Sequence, residues 1–170
     1  AWDPVEDYRM MGENVRCYMA LWESPKPVVA GIHGWCVGGG TDLVLCADQI
    51  VAAEDTRLGY PPSRVWGTPT TALWVYRVGI ERAKRLLLTG DAIDGKSAAA
   101  IGLVGKAVPA DKVGEETDAL AGRMANLPVN QLVMLKLLVN QTFENMGLRS
   151  TQLVGTLFDG AARHTPEGIA

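Results

Sequence analysis

Between Pro27 and Asp42 the chain reads PVVAGIHGWCVGGGTD, and no other stretch restricts the possible folds as much. Val28 to Ile32 is a short apolar run bounded by a proline and polar or glycine positions, the pattern of a buried strand. Three consecutive glycines, Gly38 to Gly40, then lead into a helix expected over about Gly40 to Cys46. Glycines at a helix start leave backbone N–H groups uncovered by side chains. Such a turn suits an anion, either a bound phosphate or a negative charge that develops during a reaction.

The 170 residues suffice for about one domain with a real core, and 48% apolar with 21% charged residues is ordinary for a soluble globular protein. Sixteen basic against nineteen acidic residues give a net charge of −3 with no basic stripe, which argues against nucleic-acid or membrane-surface partners. Cys17, Cys36 and Cys46 are odd in number and lack C-x-x-C spacing, so neither a disulfide framework nor a zinc site is expected. A reducing, cytoplasmic location follows as the expectation. No signal peptide or bilayer-length apolar run is visible. The sequence opens at Ala1 without an initiator Met and stops at Ala170 in a helix-like stretch, which suggests a piece of something longer.

Helical periodicity predicts a helix from Val5 to Leu21, stopped by Pro25 and Pro27. Ile50 to Ala53 is a second expected strand, and Leu58 to Thr71 is expected to be a loop crowded with glycine and proline. Short helices are predicted at Arg82–Leu88 and Lys96–Ile101, with a brief strand at Lys106–Val108. Asp111 is expected to cap a helix running to Asn126, which ends at Leu127-Pro128. A further helix over about Asn130 to Phe143 is apolar on nearly every face and should be buried, against another subunit if not within the chain. Strand–helix units followed by helices imply an α/β core with a helical C-terminal extension.

Three chemistries compete for the glycines. Gly90 to Ser97 fits G-x-x-x-x-G-K-[ST], but the residues before it look helical where a P-loop needs a buried strand. Asp91 and Asp94 would also set carboxylates beside the phosphates. A helix end at Gly90, a turn, and a capped helix starting near Asp94 explain the same letters. The first cluster has Gly34 and Gly39 at P-loop spacing but Gly40 in place of the lysine. It also has Leu43 where a dinucleotide fingerprint needs its third glycine. The remaining reading is an oxyanion hole. Amides about 3 Å from a thioester oxygen stabilise its developing charge, and only glycine lets the substrate approach so closely. Asp42 then falls in the first helical turn, either as a proton-handling carboxylate or as a partner of the helix dipole.

The segment KPVVAGIHGWCVGGGTDLVLCAD, Lys26 to Asp48, resembles the signature of the enoyl-CoA hydratase/isomerase, or crotonase, superfamily. The likeness continues through Leu58-Gly-Tyr-Pro61, Leu88-Thr-Gly90, Ala98 to Val104 and the C-terminal helices. The resemblance implies a crotonase-like spiral ββα core over residues 1–108, truncated at its N-terminus, and a helical oligomerisation region over 109–170. It implies an enzyme that stabilises the enolate of an acyl-CoA-type substrate, hydration or dehydration of an enoyl-CoA being the nearest activity. By the same likeness the Gly39 amide is one donor to the thioester oxygen, and the other belongs to a segment upstream of Ala1.

Asp42 matches the first of the family's two catalytic glutamates, one methylene shorter, and Pro62 matches the second. An isomerase, a hydrolase of carbon–carbon bonds, or a decayed binding homologue therefore stays open beside hydration. Gly38, Tyr60, Arg64 and Trp66 are expected around the substrate, with Ser63 a further polar neighbour of the loop. No cofactor beyond the CoA thioester and no metal are expected. Homotrimers or paired trimers are implied. His33 and Cys36 flank the turn, where His33 reads as structural. His164 receives no role, and Asp48 matches a helix-ending structural aspartate.

Overall fold

The computed structural model describes residues 3–169. Helix α1 spans Pro4–Glu23. Its start is fixed by Asp3, whose Oδ1 accepts from the amides of Val5 at 2.8 Å and Glu6 at 3.3 Å. Proline at the first helical position adds to that signal, since its missing N–H is not needed there. Met19 and Trp22 are the buried side chains of this helix.

The chain then passes twice through a strand–strand unit. Strands β1 (Val29–Ile32) and β2 (Trp35–Val37) lead into helix α2 (Gly39–Val44), and strands β3 (Gln49–Ala53) and β4 (Arg57–Gly59) follow. β3 pairs parallel with β1, and β4 pairs parallel with β2. Each pass thus lays one strand in each of two small sheets, which is the spiral of a crotonase-like core. A 3₁₀ turn at Pro61–Arg64 and helix α3 (Trp74–Thr89) come next, and α3 breaks at Gly79 (φ 76°). β5 (Ala92–Asp94) closes the second sheet antiparallel to β4, and β6 (Lys106–Val108) closes the first beside β3.

Helix α4 (Gly95–Ala100) joins those last two strands. A 3₁₀ turn at Ala110–Lys112 precedes α5 (Val113–Ala125), and α6 (Val129–Asn145), α7 (Leu148–Ala162) and α8 (Pro166–Ile169) complete the chain. The main core cluster surrounds Leu45, Cys46, Ile50, Leu58, Leu73 and Trp74, roofed by α1 and by Leu148 of α7, and a smaller one joins Val51, Ala53, Val108 and Val113.

Two expectations need correction, and a third finds no partner within the chain. The segments at Trp35–Val37, Arg57–Gly59 and Ala92–Asp94 are strands rather than turn or loop. Each is three residues long, too short for alternation to show, and each exists because a neighbour supplies its ladder. Asp111 does not cap α5; it lies inside the 3₁₀ turn, and Lys112 precedes the helix without a side-chain cap. Helix α6 is not buried within this chain. Its inward residue is Lys136, whereas Leu137 and Leu138 are 61% and 68% exposed. The core of the chain touches only a narrow stripe of α6, leaving its wider apolar face uncovered.

The tightest junction lies where α4 begins. A Cβ placed on Gly95 would collide with the carbonyl oxygen of Ala53, at the end of β3. Gly95→Ala is therefore expected to lower unfolding stability by about 1–3 kcal/mol, as overpacked sites do, measured by denaturant titration.

Candidate active site

The glycine turn takes its shape from backbone that other residues avoid. Gly38 has φ 56° and ψ −125°, a conformation open to glycine and strained for residues with a Cβ. That reversal throws the chain from β2 directly into α2. The first backbone bonds of α2 run from the Thr41 and Asp42 amides to the Gly38 carbonyl, at 3.0 and 3.1 Å. Ahead of them the amides of Gly39 and Gly40 have no backbone acceptor among the described residues. Both glycines lie at the surface, while Gly38, Thr41 and Asp42 are buried.

Asp42, in the first turn of α2, is buried and only 2% exposed. Its Oδ1 accepts from Thr71 Oγ1 at 2.9 Å, and its Oδ2 accepts from the Thr70 amide at 3.2 Å and Thr70 Oγ1 at 3.3 Å. Burial pushes its pKa up to about 6, against the pull of the Thr70 and Thr71 hydrogen bonds. A carboxyl titrating there can both take and give a proton near neutral pH. The same bonds tie α2 to the segment preceding α3.

The loop residues expected near the substrate divide. Tyr60 is buried, and its hydroxyl donates to the Thr68 carbonyl at 2.8 Å, so it shapes the loop from within. Pro62 packs over the turn: its Cγ would lie 3.4 Å from a Cβ on Gly38. Ser63 Oγ donates to the Tyr60 carbonyl at 2.9 Å. Arg64 is held at the end of α3, its Nε donating to the Thr89 carbonyl at 2.9 Å and its guanidinium pairing with Asp91 at 2.7 Å. Trp66 is exposed, with the Arg163 guanidinium 5.9 Å from its ring centre. Asp159 accepts from the Thr68 amide and pairs with Arg163, which also reaches Asp7; α7 and α1 thus brace this loop.

Two other sequence candidates fall away. Cys36 is buried, and that burial pushes its thiol up to about 11, whereas His33 lies exposed on the adjoining turn. The residues from Gly90 to Ser97 form no phosphate loop. Gly90 closes α3, Ala92–Asp94 is a strand, and Asp94 Oδ1 accepts from the Ser97 amide as the cap of α4. Lys96 is paired with Glu54 at 2.8 Å. Among the described residues no cluster of three His, Cys, Asp or Glu could hold a metal ion, and no helix is long and apolar enough to cross a membrane.

Three residues near the turn carry no motif in the sequence. Thr70 and Thr71 hold Asp42, and Tyr18 of α1 places its hydroxyl beside Gly39. Only the packing of α1 on α2 reveals the last of these.

A two-sheet spiral with a glycine turn opening onto the surface defines a crotonase-fold protein. Residues 4–169 match the Enoyl-CoA hydratase/isomerase family, and the chain belongs to it. The structure is similar to that of an enoyl-CoA hydratase from Mycobacterium smegmatis, with a TM-score of 0.96 and 51% identity, covering 99% of this chain and 58% of that one. The sequence is 37% identical over 123 residues to a crotonyl-CoA hydratase of Syntrophomonas wolfei, covering 71% of this chain and 46% of that protein. The chain thus spans about half the length of these relatives.

Proposed function

We propose that the protein acts on an acyl-CoA thioester through an enolate, adding water to an enoyl-CoA or removing it from the product. The observation that carries this reading is exposed Gly39, whose amide has no backbone acceptor among the described residues and stands ahead of the first internal bonds of α2. In hydration, water attacks the β-carbon and gives up a proton, and the electron pair of the double bond moves onto the thioester oxygen. A proton then joins the α-carbon. The Gly39 N–H donates to that oxygen as its charge grows, which is where a fixed dipole lowers the barrier most. Gly38 sets the angle of the turn, and Asp42 is the carboxyl available for proton handling. Arg64 and Trp66 form the outer wall of the substrate site and Tyr60 its inner support.

The CoA thioester serves as substrate, and no further cofactor is invoked. A cytoplasmic homotrimer or pair of trimers accompanies the proposal, supported by the uncovered apolar face of α6. One observation favours a second reading: Pro62, at the second glutamate position of hydratases, has no proton to exchange. An isomerase or a carbon–carbon bond hydrolase of the same family is the alternative that this substitution leaves open.

Loss of the ultraviolet absorbance of crotonyl-CoA on adding the protein expressed from its complete gene is the expected result. Acyl-CoA binding with no turnover of this substrate would move the assignment to the isomerase or hydrolase reading. Neither turnover nor binding would leave a decayed homologue and end the enzymatic one.

A further inference from the structure

The glycine turn has side chains on both flanks, and they differ in kind. Pro62 covers Gly38 from the loop side. On the other side, the Tyr18 hydroxyl lies 3.1 Å from where a Cβ on Gly39 would stand. Tyr18 is part-buried in α1, and the Asp42 carboxylate acts electrostatically on its phenol. Among the described residues its hydroxyl has no hydrogen-bond partner, and it is not sealed from solvent. By contrast, the Tyr60 hydroxyl is engaged with Thr68, and both Asp42 oxygens are engaged with Thr70 and Thr71. Tyr18 thus presents an uncommitted side-chain donor at the exposed glycine whose amide has no backbone acceptor among the described residues.

We propose that the Tyr18 hydroxyl is a catalytic hydrogen-bond donor to the acyl thioester bound at Gly39, supplying from α1 the polar contact that Pro62 cannot supply from the loop. The inference rests on the acyl-CoA reading above. Burial first, and then the Asp42 charge, raise the phenol pKa, so the hydroxyl keeps its proton at neutral pH. A phenol in that state donates to an oxygen gaining negative charge and does so more strongly as the charge grows. An apolar group over the same position would instead leave the hydroxyl without a partner. The Gly39 glycine then has a second reason: a Cβ there would crowd the tyrosine oxygen away from the substrate.

The test compares wild type with Tyr18→Phe in the protein expressed from its complete gene. Both are assayed for crotonyl-CoA hydration and for binding of two non-reacting ligands. Acetoacetyl-CoA offers an enolate-like oxygen, and butyryl-CoA has the same chain length without one. Tyr18→Phe is expected to lower kcat roughly ten- to a hundredfold, somewhat less than loss of a main oxyanion donor. Acetoacetyl-CoA affinity should fall about tenfold and butyryl-CoA affinity stay within about twofold, the signature of a contact made to developing charge.

Unchanged kcat in Tyr18→Phe, or equal loss of affinity for both ligands, would overturn the Tyr18 role and leave the acyl-CoA reading standing. A wild-type protein that neither turns over nor binds these thioesters would overturn both.

Discussion

Lys136→Met is expected to destabilise the protein by about 3–5 kcal/mol, the usual result of removing one member of a buried ion pair. Lys136 is 8% exposed on a helix whose other residues are mostly apolar. Its Nζ lies 2.7 Å from Asp48 Oδ2 and donates to the carbonyls of Leu21 at 3.0 Å and Lys26 at 3.3 Å. Asp48 also accepts from the Val28 amide at 2.6 Å. One ammonium therefore joins the end of α1, the entry to β1 and the connection from α2 to β3.

Met fills the volume but satisfies none of those acceptors, and Asp48 is left charged and partly buried. Adding Asp48→Asn to Lys136→Met should recover part of the loss, because an amide needs no counter-charge yet still accepts from Val28. Urea unfolding of the two single variants and the double variant measures the coupling, which should reach about 1–3 kcal/mol for groups in direct contact. Additive effects would show that Lys136 acts through its packing alone.

The same lysine marks a limit of the sequence. It interrupts an apolar run of Leu132, Val133, Leu135 and Leu137, and nothing local in α6 says which way it faces. The structure turns it inward, onto Asp48 and the carbonyls of Leu21 and Lys26, whose positions are set by other parts of the chain. What was legible came from short-range chemistry. Prolines 25 and 27 stop α1, the glycines turn the chain at 38–40, Gly90 closes α3, and Asp94 caps α4. β1 and β3 were legible as apolar runs and β6 as a brief strand, whereas β2, β4 and β5 depend on partners elsewhere in the chain.

The site divides along the same line. Gly39 is set by its neighbours in sequence. The surroundings of Asp42 and Tyr18 are set by Thr70, Thr71 and the lie of α1, none of which carries a pattern. Resemblance placed Asp42 at the catalytic position without disclosing that both of its oxygens are held by Thr70 and Thr71.

Asp42→Asn separates the two roles that this arrangement allows. The variant should fold, because the amide oxygen can still accept from the Thr70 N–H and the amide nitrogen can donate to Thr71 Oγ1. If Asp42 handles a proton, kcat for crotonyl-CoA falls by at least about a hundredfold, since an amide neither takes nor gives one.

Stability responds in a different way. The wild-type carboxyl has its folded pKa raised by burial from 3.8 to about 6. The folded state therefore holds more protons than the unfolded state between those limits. Stability is full below the lower limit and falls as pH rises through about 6, by up to about 3 kcal/mol. Asp42→Asn should abolish that fall and equal or exceed wild-type stability at pH 7, which denaturant titrations across pH 4 to 7 would read.

Asp42→Ala behaves oppositely. It strands the Thr70 and Thr71 donors without an acceptor and should cost about 1–3 kcal/mol for each group left buried and unpaired. Full turnover in Asp42→Asn alongside a destabilised Asp42→Ala would reduce Asp42 to an anchor. The proton chemistry would then have to come from water or from a group outside this chain's described residues, and the hydrogen-bond donors at Gly39 and Tyr18 would carry this chain's share of the catalysis.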